Sequence, residues 1–205
     1  MTALGVSVGL FLWATTAGLN HYDPMHYFQE HEFFTFFSAL LLAGTSLIAA
    51  LVNFLHHKIV DGYESWNFWL FSALGFFYLC LDEYFIIHEG IGSGVLRLFG
   101  GRESGHPFDE WVLAAFGVIG AVTICRYRKQ VLQYGNFVFM FLVASMFFGC
   151  MIFSDYFFED TYPLSLFQEI FKILGVAFFF VAYLSVLYDI HMQIIHTEID
   201  REPPE

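Results

Sequence analysis

Positive charge is the first thing this chain lacks. Its 205 residues carry 8 Lys and Arg against 20 Asp and Glu, a net charge of −12. So few basic groups exclude a nucleic-acid partner and a surface that grips anionic lipid headgroups. They leave room for a site that takes cations. Charge of either sign is scarce, at 14% of residues, where an average soluble domain has about 25%. The three cysteines, Cys80, Cys125 and Cys150, lie far apart and form no CxxC pair. They read as small buried hydrophobes, with a Cys80–Cys150 disulfide as the lesser alternative. There is no HExxH, so no zinc-protease motif, and no internal repeat.

Apolar residues fill the space that charge leaves, at 58% of the chain with 28 Phe. A soluble core of this size has no use for so much apolar surface, whereas a bundle facing lipid does. Six stretches approach the roughly 20 residues that cross a bilayer as helix: 2–19, 33–55, 66–88, 111–126, 136–154 and 164–190. The first has no basic residue ahead of it and reads as a retained span, not a cleaved signal. The expectation is an all-α polytopic membrane bundle of about six spans. Residues 1–196 form one domain and 197–205 a polar, disordered tail. The lipid bilayer is its principal partner, in a bacterial inner membrane.

Basic residues set the orientation. Lys58, Arg126, Arg128, Lys129 and Arg201 share one side in a six-span arrangement, with Arg97, Arg102 and Lys172 opposite. The positive-inside bias then places both termini in the cytoplasm.

With that topology the acids and histidines collect on the non-cytoplasmic side. Counted from the outer end of the third stretch, Glu83 and Asp82 are the sixth and seventh residues, roughly 9–10 Å of helix. At that depth a carboxylate needs a partner or a water-filled cavity. On a continuous helix Asp82 and Glu89, seven residues apart, share a face, while Glu83 and His88 point to its flanks. Asp155 and Glu159 lie one turn apart after the fifth stretch. Asp23-Pro24 reads as a helix start, which puts His26 and Glu30 on one stripe at the spacing of a two-point metal clamp.

Carboxylates and imidazoles drawn from several helices are what a metal site in a helical bundle requires. Asp82, Glu89, Asp155, His26, Glu30 and His88 are the candidate ligands of a divalent metal ion, with Zn, Ca, Mn and Fe all open. Such an ion would lower the pKa of a bound water, with Glu83 or Glu159 as general base. The alternative for Asp82, Glu83, Glu89 and Asp155 is a structural hydrogen-bond network between helices. His191 and His196, near the other end of the last stretch, read as interfacial.

The LDEYFIIHEG segment, following a span that opens on Glu32-Phe33, Thr35 and Ser38, resembles a pattern in uncharacterised bacterial multi-span membrane proteins. More faintly it resembles the alkaline ceramidase group of membrane hydrolases, which has an acidic segment before a helix start of E-F-x-x-T type and a later D-E on a core helix. That resemblance implies a hydrolase of lipid-like substrates. The chain departs from the group where Asn67 and Phe71 replace a Ser and a His, and where His191 and His196 are spaced by five. Three functions stay open at this point. One is a metal-dependent membrane hydrolase; the others are a non-catalytic subunit working with other membrane subunits, and a cation or proton pathway. The pathway reading is the one that lacks polar residues through the inner half.

Overall fold

The structure is a computed structural model that describes residues 33–59, 67–88, 90–91, 94, 107–157 and 162–199. Six helices and no strand occur among the described residues. They are α1 (Phe33–Ile59), α2 (Asn67–Phe85), α3 (Pro107–Arg126), α4 (Arg128–Val131), α5 (Gly135–Phe157) and α6 (Tyr162–Ile199). Four contain a segment long and apolar enough to cross a membrane: Phe34–His57, Phe68–Phe85, Gly135–Ser154 and Phe167–His196. Lipid accounts for their surface. Leu47, Phe71, Val118, Leu142 and Phe153 are among many large apolar side chains left exposed, a pattern that would aggregate in water but suits a bilayer. The chain is an integral membrane helical bundle.

The second, third, fifth and sixth predicted stretches coincide with these four helices. The first lies outside the described residues. The fourth is a helix, but its apolar run, Ala114–Arg126, is shorter than a full crossing. Arg126 ends that run with its guanidinium 5.5 Å from the Tyr127 ring centre, and both it and Arg128 are exposed. No disulfide forms. Cys80 is a half-buried free thiol, while Cys125 and Cys150 are exposed free thiols rather than core residues.

The core runs along α1, α2, α5 and α6. α5 packs most extensively on α6, and α1 lies against both α2 and α6. An interior stripe on α1, Ser38, Leu42, Thr45, Ala49, Val52 and His56, is buried at every position. Its steps of three and four residues keep those side chains on one face. The Ser46 hydroxyl donates to the Ala73 carbonyl at 2.7 Å, which sets the register of antiparallel α1 and α2. Aromatic rings fill the middle: Trp69, Phe76, Phe137, Phe141, Phe179 and Tyr183 meet at centroid distances of 4.8–5.5 Å, mostly edge to face. Such pairs add about 0.5–1.5 kcal/mol each beyond area burial.

The bundle therefore has two unlike ends. One carries Asp82, Glu83, Glu169 and Lys172 and is called the acidic end below. The other carries Arg126, Arg128 and Lys129 and is called the basic end.

Candidate functional site

The acidic end is built where α2 stops. Regular helix ends at Phe85, and Ile86 takes a left-handed φ of 54°. That is an outlier for a β-branched residue. Helical backbone resumes at residues 87–88 and 90–91, so Ile86 is a local break. The Ile86 amide donates to the Asp82 carbonyl at 2.7 Å. The His88 amide donates to Asp82 Oδ1 at 2.7 Å, and His88 Nδ1 lies 3.0 Å from Asp82 Oδ2. On an unbroken helix residues 82 and 88 would be separated by about 9 Å of rise and could not touch. The break replaces the expected arrangement, in which His88 points to the flank of a helix running to residue 88, with a closed Asp82–His88 pair.

Burial makes that pair asymmetric. Asp82 is buried at 4% exposure, while the His88 side chain is 23% exposed. A buried carboxylate that accepts from Nδ1 fixes the ring and places the lone pair on Nε2. This is how a ligating or proton-accepting histidine is oriented. Asp82 thus holds His88 through both of its carboxylate oxygens.

Glu83 faces the other way, into the bundle. Its Oε1 accepts from the Ser38 hydroxyl on α1 at 2.5 Å and lies 3.1 Å from Lys172 Nζ on α6. Lys172 also reaches Glu169, one turn earlier, at 2.8 and 3.0 Å. These contacts tie α1, α2 and α6 together at one level. Among the described residues three carboxylates, Asp82, Glu83 and Glu169, share this end with one ammonium, so with His88 neutral this group carries an excess of two negative charges.

Of the candidate site residues, the structure brings Asp82 to His88, and sets Glu83 beside them in the interhelical network. Asp155 is on α5, but its side chain lies outside the described residues, as do His26, Glu30, Glu89 and Glu159. Among the described residues no three His, Cys, Asp or Glu side chains gather as a metal-ligand set. Lys172, read from the sequence only for its side of the membrane, is the residue that joins Glu83 and Glu169 in this network. Its signal was available, because a lysine inside an apolar stretch on the acidic side needs a carboxylate partner, and Glu83 is at matching depth.

No curated protein and no solved structure matches the chain. Residues 1–187 match a family described as a domain of unknown function, DUF8692. That match takes in all of α1 to α5 and most of α6, so this integral membrane protein belongs to the DUF8692 family.

Proposed function

We propose that the acidic end is a divalent-metal site in which His88 is a ligand through Nε2 and Asp82 orients it. The observation that carries this reading is the double hold of buried Asp82 on His88, through the backbone amide and through Nδ1. The excess of two negative charges at this end favours a divalent cation over an anion. Further ligands would come from Glu89, Asp155, His26 and Glu30, the acids and histidines whose position in the sequence puts them at the same end.

The reaction such a site serves is hydrolysis of a lipid-like substrate, the activity that the likeness to the alkaline ceramidase group also implies. A metal ion supplies Lewis-acid polarisation and an activated water there. Glu83, already accepting from Ser38 and Lys172, suits a strut between helices, which leaves Glu159 as the general base of the original pair. Tyr84 and Phe85, both exposed beside the site, offer an aromatic surface on which an acyl chain can lie.

Elemental analysis of the purified protein tests the proposal. One divalent ion per chain is expected, lost in His88→Ala and bound about 10–100-fold more weakly in Asp82→Asn, the usual effect of removing an orienting partner. A metal content that neither substitution changes contradicts it.

A further inference from the structure

The basic end holds polar groups that the reading above does not use. Asn53 Oδ1, His56 Nδ1 and Trp69 Nε1 are all buried with no hydrogen-bond partner in the protein. His56 is 8% exposed and Trp69 is 0% exposed. An unpaired polar atom is costly in any interior, and more so in a bundle surrounded by lipid, where bulk water offers no rescue. Three of them together point to a ligand.

The three converge. Asn53 and His56 are three residues apart on α1, so their side chains are neighbours on one face, and His56 closes the buried stripe that begins at Ser38. Helix side chains lean toward their own N-terminus. The indole of Trp69, near the start of α2, therefore leans toward the basic end, while Asn53 and His56 lean back toward the middle. Because the Ser46–Ala73 bond fixes α1 against α2, these opposite tilts bring the polar tips to one level. Trp69 faces Tyr134, Phe137 and Tyr183 at 5.8, 5.5 and 5.8 Å between ring centres. The Tyr134 hydroxyl, whose pKa is raised by burial and then by the nearby Asp189 carboxylate, adds a further polar group at this level.

The ligand must be small, because edge-to-face rings already fill the space around Trp69. It must also both donate and accept, since an amide oxygen and an indole N–H have opposite needs. Water meets all of these requirements, and two to four polar partners are what a buried water takes.

We propose that the basic end of the bundle binds a small water cluster between Asn53, His56 and Trp69, bordered by Tyr134. The cluster makes the bundle hydrated from this end as far as Trp69, where the aromatic layer of Phe137, Tyr183 and Phe76 stops it. Polar access from the basic end and the ionic network at the acidic end are thereby separated by a dry aromatic septum.

Hydroxyl-radical labelling of the full chain in nanodiscs, in oxygen-18 water and read by mass spectrometry, is the test. Tyr134 and Tyr183 are a matched pair of buried tyrosines, 4% and 1% exposed, each with its ring centre 5.8 Å from that of Trp69. Tyr134 directly precedes α5 at the basic end, and Tyr183 lies within the span of α6. Several-fold more label on Tyr134 than on Tyr183 is expected, with the difference abolished by Asn53→Leu. Equal labelling in the native chain overturns the proposal. Thermal unfolding gives a second readout. Bound water predicts that Asn53→Leu and His56→Phe each lower Tm, because each leaves the other groups unpaired. A raised Tm in both means that the atoms were unsolvated, and also overturns it.

Discussion

Ile86 holds a backbone conformation that costs a β-branched residue roughly 1–2 kcal/mol, and Asp82 is what keeps it there. Three hydrogen bonds to Asp82, two of them to the carboxylate and one to its carbonyl, close the turn from Ile86 to His88. Strain retained in this way belongs with function more often than with stability. Ile86→Gly, which adopts a left-handed φ without cost, is expected to keep metal binding, with stability within about 1 kcal/mol of the native chain. Ile86→Pro fixes φ near −65° and removes the amide donor. It is expected to abolish metal binding, as read by elemental analysis of the same preparation. Residue type and depth were enough to single out Asp82, Glu83 and His88 from sequence. Their pairing was not, because a left-handed isoleucine has no sequence signature and every periodicity argument assumed an unbroken helix.

The helices are held at the acidic end by charge and elsewhere by close packing. Among the described residues Lys172 is the one Lys or Arg paired with Glu83 and Glu169, and its side chain is only 18% exposed. Lys172→Met strands two carboxylates and is expected to cost about 3–5 kcal/mol. Adding Glu83→Gln to Lys172→Met should recover part of that loss, as measured by denaturant unfolding in detergent. If Lys172→Met alone is neutral, the network does not hold the helices. Between α5 and α6 the contact depends on Gly175, where an added Cβ would meet the Phe148 ring at 2.6 Å and the Ala144 carbonyl at 3.3 Å. Small residues let membrane helices approach in this way. Gly175→Val is expected to cost about 1–3 kcal/mol and Gly75→Ala, which meets nothing, to leave the fold in place. Helix positions followed from apolar run length, to within a few residues for α1, α2 and α5. Asn53, His56 and Trp69 gave no warning, since Asn53 and Trp69 are single residues inside apolar runs and His56 stands in the His-His-Lys segment that follows the second stretch, where it reads as interfacial.

At the scale of the molecule, four helices long and apolar enough to cross a membrane enclose an aromatic middle, with acids at one end and bases at the other. A six-span arrangement adds residues 2–19 and α3 to these four and puts both termini with Arg126 and Lys129. A reporter fused after Glu205 and one inserted at 60–66 are then expected on the same, cytoplasmic, face. Reporters on opposite faces would refute that topology. The same asymmetry separates the two sites. The proposed metal at the acidic end and the proposed water at the basic end would lie on either side of the Trp69, Phe137 and Tyr183 rings, so removal of one is expected to leave the other intact. Composition foretold a membrane protein with an acidic face because both are sums over many residues. The septum was hidden because it depends on which of 28 phenylalanines turn inward, and a chain surrounded by lipid shows no polar contrast to mark them.

X-ray absorption at the edge of the bound metal tests the central claim most directly. The account predicts imidazole scattering in the first coordination shell, with a metal–nitrogen distance of about 2.0–2.1 Å if the ion is zinc, diminished in His88→Ala and retained in Lys172→Met. A metal-free protein, or a coordination shell unchanged by loss of His88, would contradict it.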